Sequence, residues 1–255
     1  MQQKSLFEEL IEDKELDNKI IKSFKPKDSL SDSIFEKSGD EFLMLSNIRK
    51  TLLKIADDFI TSLGVEFFIH DVVLTGSLAN YNWSEYSDVD LHILIDFKES
   101  NNNLNLLKEF FEAKRDVWNK KHDIKIKNHD VEIYVQDVDE PHISSGVYSI
   151  LHNKWLVVPK KETPNIDDSM IIEKGEEYAS DIDDLVSKSE KGDDVRKQLK
   201  DIKDKIKKFR QSGLDKGGEY SYENLTFKLL RRNGYIEKLL NLKTQITDKK
   251  LSITQ

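Results

Sequence analysis

The chain has 255 residues, with 40 Lys and Arg against 48 Asp and Glu, a formal net charge of −8. An excess of acid argues against a general nucleic-acid binder, because affinity for phosphate backbones comes mainly from Lys and Arg. Cysteine is absent, which excludes disulfides, thiolate zinc sites and cysteine nucleophiles together. Hydrophobic residues make up 37% and charged residues 35%, with 12 Phe, 8 Tyr and 3 Trp available for a core. The first residues, MQQKSLFEELIEDKELDNK, lack the apolar stretch of a secretory signal. No run approaches the ~18 apolar residues of a membrane span. The expectation is a soluble cytoplasmic protein with no membrane contact.

Residues 1–40 read as an N-terminal arm. A turn is expected at Phe24–Ser29 and a loop from Ser31 to Gly39, with Leu30, Ile34 and Phe35 docking the arm on the body. Residues 41–63 predict a helix, since Leu45, Ile48, Leu52, Ile55, Phe59 and Leu63 form one apolar stripe ending at Gly64. The period then changes. Val72-Val73-Leu74 predicts a short buried strand ending at Thr75-Gly76-Ser77. Residues 88–96 alternate, with Val89, Leu91, Ile93 and Ile95 on one side and Asp88, Asp90 and His92 on the other. Residues 104–120 look helical. Strands are expected at 124–126 and 131–135, around a turn at Lys127–Asp130, and again near 147–151 and 155–158. From about 166 the pattern is helical, with a turn at Asp215–Gly218 and one helix from Tyr220 to Leu242. The order predicts an α+β fold: an arm at 1–40, a mixed-sheet domain at 41–160 flanked by helices, and a helical domain at 161–255.

The stretch with chemical content is LTGSLANYNWSEYSDVDLHILID, Leu74 to Asp96. Gly76 permits a sharp turn and a close ligand approach. A helical turn beginning near Ser77 would offer free N–H groups to an anion, with the Ser77 hydroxyl as a further donor. Ten residues on, Asp88 and Asp90 stand one pleat apart on one face, within reach of the same small cation. Mg²⁺ favours carboxylates, waters and substrate phosphate oxygens. A phosphate cradle beside paired carboxylates is the apparatus of metal-assisted phosphoryl or nucleotidyl transfer. A further carboxylate is expected at Glu132, because Val131, Ile133 and Val135 turn to the core and leave Glu132 on the open side. Asp130 shares that face nearer the turn and is the second choice.

These residues resemble the nucleotidyltransferase superfamily of DNA polymerase beta, whose pattern is Gly-Ser, a spacer, Asp-x-Asp between hydrophobic residues, then an acidic strand. The resemblance covers roughly residues 45–140. The wider chain resembles predicted nucleotidyltransferases encoded by large tailed bacteriophages, through residues 52–59, the block from Gly76 to His92, and EYSYENLTFK at 219–228. If phage-encoded, the protein would work in the host cytoplasm. The resemblance implies transfer of a nucleoside monophosphate from an NTP, with ATP the first choice, to an acceptor hydroxyl with release of pyrophosphate. It implies Mg²⁺, or Mn²⁺ in its place, held by the catalytic residues Asp88, Asp90 and Glu132, and phosphates held at Gly76 and Ser77. The acceptor is left open among RNA, a small molecule, a protein or a second nucleotide. The alternative is a non-catalytic nucleotide-binding sensor or regulatory module of the same fold. A third reading is nucleic-acid binding by the basic face at 196–210.

Several residues admit two readings. Ser87 bonds either to a carboxylate or phosphate, or simply starts a strand. His92 either supports the metal or is a hydrogen-bonded edge histidine. Tyr81, Asn82 and Trp83 either line a nucleotide pocket or pack beneath the loop, and Ser144 and Ser145 either reach the nucleotide or form a turn. Lys203 and Lys207 on the 196–210 face, and Lys228 and Arg232 further on, either contact the triphosphate or form solvated basic faces. The remaining histidines lack mutual ligand spacing, which argues against a zinc site.

Overall fold

The computed structural model describes residues 6–100, 103–142 and 144–253. The chain divides into two compact units. One is Lys25–Thr163. The other joins the described residues up to Phe24 with those from Pro164 onward. The expected arm therefore splits: its first part is the helix α1 (Leu6–Lys22), which belongs with the C-terminal helices, and its second part belongs with the sheet.

The sheet unit contains, in chain order, β1 (Phe35–Ser38), β2 (Glu41–Met44), α2 (Ser46–Ser62), β3 (Ile69–Thr75), β4 (Val89–Ile95), α3 (Phe97–Ser100), α4 (Leu104–Lys121), β5 (Lys125–Ile126), β6 (His129–Asp137), β7 (Val147–Ser149) and β8 (Lys154–Val157). Six strands form one mixed sheet in the order β5-β6-β4-β3-β7-β8, and β1 pairs with β2 in a separate hairpin. The β4–β6 pair is parallel and the other pairs are antiparallel. A parallel pair needs a long crossover, and α3 with α4 supplies it. Asn119 of α4 also bonds the backbone of Ile133 through both its amide nitrogen and its amide oxygen, 3.4 and 3.3 Å, covering the outer edge of β6 beyond the short β5.

One face of this sheet is core. Val72, Leu74, Leu91, Ile93 and Ile133 pack there against the α2 stripe of Ile48, Leu52, Ile55 and Phe59 and against Phe111 of α4. The helix expected from residue 41 starts at Ser46, because residues 41–44 are held in the hairpin instead. The expected loop at Ser31–Gly39 likewise yields a strand. Phe35 stacks on Trp155 at 5.1 Å and meets the edge of Tyr148 at 5.3 Å. Trp155 Nε1 donates to the Phe42 carbonyl, 2.7 Å, and the Met44 N–H donates to the Tyr148 hydroxyl, 3.1 Å. These contacts join residues more than a hundred positions apart, so no local pattern announces them.

The helical unit contains α1, α5 (Asp168–Glu190), α6 (Arg196–Gly217), α7 (Tyr222–Arg232) and α8 (Tyr235–Leu251). Tyr178, Ile182, Leu199, Ile202, Ile206, Leu230, Leu239 and Leu242 form its core. The expected turn at Asp215–Gly218 begins late: α6 continues to Gly217. The single helix expected over 220–242 is two. Gly234 adopts φ +79°, a left-handed conformation that ends one helix and resets the next. The break resets which residues of the second helix face inward, away from the positions that continuing the Leu225 and Leu229 spacing would pick. Leu225 and Leu229 are buried, but Leu240 is 51% exposed, and Leu239 and Leu242 take its place. No described helix is long and apolar enough to cross a membrane.

Candidate active site on the open face of the sheet

The other face of the sheet carries the polar residues in rows fixed by strand register. Thr75 pairs with Asp90, and Asp90 with Glu132. Along the next row, Ser149 pairs with Val73, Val73 with His92, and His92 with Tyr134. Because β4 and β6 are parallel and adjacent, the Asp90 and Glu132 backbones lie side by side at the usual strand spacing of roughly 4.8 Å. Asp88 immediately precedes β4 and is partly exposed, as are Asp90 and Glu132. Asp130 lies further out, exposed and ion-paired to Lys125 across the β5–β6 turn.

Gly76 closes this site at the end of β3. Its backbone sits at φ +70°, ψ −159°, and a Cβ there would lie 1.8 Å from Asp90 Oδ2. Glycine is thus required twice, by conformation and by the carboxylate packed against it. Ser77 opens a single 3₁₀ turn, Ser77–Ala79. Its hydroxyl lies 2.7 Å from that of Ser87, which also accepts the Ser84 N–H at 2.9 Å. Ser87 is buried, and its carbonyl accepts from His129 Nδ1 at 2.7 Å. Ser87 thereby ties the Gly-Ser turn to the start of β4 and β6. The segment before β7 presses on the same turn: a Cβ on Gly146 would lie 2.0 Å from the Ala79 carbonyl oxygen, and Asn80 Nδ2 donates to Ser145 Oγ at 2.5 Å. Ser144 bonds within its own turn, to the Gly146 carbonyl. Tyr81 and Trp83 pack on the core, and Trp83 Nε1 donates to the Ser29 carbonyl at 2.9 Å.

Tyr134 is the residue that the sequence reading passed over, although the alternation through Asp130 and Glu132 already places it on the acidic face. Its hydroxyl donates to Glu132 Oε2 at 2.5 Å. Its ring lies 5.0 Å from that of His92, and the Arg115 guanidinium sits over it at 5.2 Å. Burial raises the phenol pKa, and the negative charges of Glu132 and Asp90 raise it further, so Tyr134 stays a proton donor at neutral pH. His92 is the hydrogen-bonded histidine of the plainer reading. Its Nδ1 lies 2.8 Å from Gln136 Oε1, and burial lowers its pKa.

Asp88, Asp90 and Glu132 are not drawn into one tight cluster. Among the described residues, the trio whose ligand atoms all lie within 4.8 Å of one another is His70, Asp96 and Glu99, at the other end of β4. Glu132 is instead turned to its Tyr134 donor. The donors that Asp88, Asp90 and Glu132 offer are nevertheless all carboxylate oxygens, which suits a hard divalent ion. The other two nucleotide-contact candidates lie on α7 in the helical unit. There Lys228 Nζ bonds Glu219 at 2.7 Å, while Arg232 Nη1 donates to Ser23 Oγ at 2.6 Å and its guanidinium covers the Phe24 ring at 4.9 Å.

No curated protein and no solved structure matches the chain. Residues 53–157 do match the family model described as a nucleotidyltransferase domain, and the matched stretch holds the Gly-Ser turn, both aspartates and Glu132, so this part of the chain is similar to nucleotidyltransferase domains of the polymerase beta-type superfamily.

Proposed function

We propose that the sheet unit transfers a nucleoside monophosphate from an NTP to an acceptor hydroxyl. The hydroxyl oxygen bonds to the α-phosphorus, the bond to the β-phosphate bridge breaks, and pyrophosphate and a proton leave. The observation that carries this reading is the row Thr75–Asp90–Glu132, with Gly76 packed against the Asp90 carboxylate. It sets two acidic side chains from adjacent strands beside a turn open to close approach.

Asp88, Asp90 and Glu132 would hold Mg²⁺, or Mn²⁺ in its place. Such an ion, when bound, supplies Lewis-acid stabilisation of charge on the phosphoryl oxygens. The chain's own groups orient the substrate. Gly76 leaves the backbone bare beside the phosphates, Ser77 offers its hydroxyl, and Ser87 holds that hydroxyl in place. The Tyr134 hydroxyl fixes the Glu132 carboxylate. Lys228 and Arg232 already serve contacts inside the helical unit, so the proposal rests on the sheet residues. ATP is the first NTP to test, and the acceptor hydroxyl belongs to an RNA end, a small molecule or a protein.

The experiment uses each NTP labelled at the α or the γ position, with Mg²⁺ or Mn²⁺ and a cell extract as acceptor source. Transfer moves the α label into a product and the γ label into pyrophosphate. Asp88→Asn or Asp90→Asn should reduce this by at least ~10³-fold with the fold intact, on the scale of metal-assisted charge stabilisation. Full transfer by a folded Asp90→Asn protein would overturn the mechanism. NTP binding without pyrophosphate release would replace it with a nucleotide sensor.

A further inference from the structure

Away from the proposed active site, a different set of ligands comes together where β3 begins and β4 ends. Ile69 pairs with Ile95, but the next pair is Asp71 with Leu94, so His70 is an extra residue bulged out of the ladder. A bulge re-aims the side chain it carries. Here the ligand atoms of His70, Asp96 and Glu99 lie within 4.8 Å of one another. His70 Nε2 is buried and has no hydrogen-bond partner among the described residues. A buried polar nitrogen without a partner is costly, and a metal ion is one group that would satisfy it. The imidazole is steadied by the Phe68 ring, edge-on at 4.9 Å. The Asp96 carboxylate is steadied too, since Oδ1 accepts the N–H groups of Lys98 and Glu99 at 2.8 and 3.0 Å. Glu99 is exposed on α3.

We propose that His70, Asp96 and Glu99 form a binding site for a divalent transition ion, Zn²⁺ in preference to Mg²⁺. One imidazole nitrogen and two carboxylates match the mixed N and O donors that Zn²⁺ accepts, whereas Mg²⁺ takes oxygen almost exclusively. Three protein ligands leave a tetrahedral position for water. Zn²⁺ bonds near 2.0–2.2 Å place tetrahedral donor atoms roughly 3.5 Å apart, inside the 4.8 Å within which these three lie. The site joins the start of β3 to the corner between β4 and α3. Asp96 lies six positions along the chain from Asp90, just past the end of β4, roughly 20 Å at strand rise, so the two sites are independent. The histidine spacing that argued against zinc took account of histidines alone. These ligands come from β3, from the corner between β4 and α3, and from α3, and include one histidine.

The test titrates the chelator-treated full chain with ZnCl₂ by calorimetry and with Co²⁺ by visible absorption. Wild type should bind Zn²⁺ at this site and show the absorption of Co²⁺ in a tetrahedral field. His70→Asn and Glu99→Gln should each weaken binding at least about tenfold, since even outer-shell substitutions cost that much. Asp90→Asn should bind Zn²⁺ at this site like wild type, which separates it from the proposed catalytic residues whether or not transfer is ever observed. Glu99 is exposed, so its variant keeps the test valid if His70→Asn fails to fold. Unchanged Zn²⁺ affinity in folded Glu99→Gln and His70→Asn, or loss of the same binding event in Asp90→Asn, would overturn the proposal.

Discussion

Tyr134 places a protonated phenol against Glu132, with burial and nearby negative charge keeping it protonated. A hydrogen bond to a charged acceptor contributes about 1.5–3 kcal/mol, so Tyr134→Phe should slow transfer by roughly 10–100-fold if that bond orients Glu132. The KM for NTP should move little, because the phenol touches a carboxylate and not the nucleotide. Steady-state kinetics separate this from a packing defect, which would lower stability without the kcat-selective effect. Glu132→Gln should likewise slow chemistry while NTP affinity stays within a few-fold, and Asp130→Asn should be milder, because Asp130 is exposed and paired with Lys125. The reverse order would exchange their roles. Gly76→Ala meets both a left-handed backbone and the Asp90 carboxylate. Backbone strain of this kind costs on the order of 1–3 kcal/mol, so a lowered unfolding midpoint and lost transfer are expected together.

Among the elements, α7 shows how basic residues suggestive of substrate contact serve their own fold. Ser221 caps it by accepting the Asn224 N–H, and Asn224 Nδ2 in turn donates to the Glu219 carbonyl at 2.7 Å. Burial opposes the Glu219 charge, but Lys228 and Arg210 prevail and hold its carboxyl below the ordinary glutamate range. A carboxyl whose folded pKa lies below its unfolded value contributes stability above the unfolded value, ~4.3, and loses that contribution as pH falls through the folded one. Wild type should therefore exceed Glu219→Gln in stability near neutral pH. The Glu219 side chain is half-exposed, so solvent screening limits the difference to about 1 kcal/mol or less. Urea unfolding of both proteins should show the gap closing below about pH 4. A gap independent of pH would mean that the glutamate acts by shape and not by charge.

For the whole molecule, the division into two units assigns residues 6–24 a structural task in the helical unit. Ile20, Ile21 and Phe24 are each less than 5% exposed, Ser23 accepts from Arg232, and Asp17 accepts from Asn233 Nδ2 at 2.5 Å. Burying one large apolar side chain contributes ~1.5–3 kcal/mol, so deletion of residues 1–24 should destabilise the helical unit by several kcal/mol. The sheet unit, continuous from Lys25 to Thr163 with its own core, should keep its strands. Thermal unfolding followed by circular dichroism checks this: loss of helical signal at lower temperature is expected. An unchanged melt would show that α1 is dispensable.

The acidic face was legible in the sequence because its signals are local. Alternation through Val89–Ile95 and through Val131–Val135 fixes which side each residue takes, and a Gly-Ser turn ahead of paired aspartates follows from spacing alone. The match over residues 53–157 agrees with the family resemblance drawn from them. Strand partners are not local. That β4 and β6 run parallel in the register Asp90 to Glu132 depends on a crossover through α4, and the β1–β2 hairpin depends on aromatic rings from β7 and β8. The phase of α8 depends on the left-handed Gly234, which a periodicity count reads straight through. The association of α1 with helices some 200 positions away, and of His70 with Asp96 and Glu99, likewise arises from packing. Side-chain alternation and turn chemistry act over a few residues, so the sequence by itself determined which residues share a face; contacts between distant segments are chosen by how apolar area is buried, so only the tertiary structure decided which faces meet.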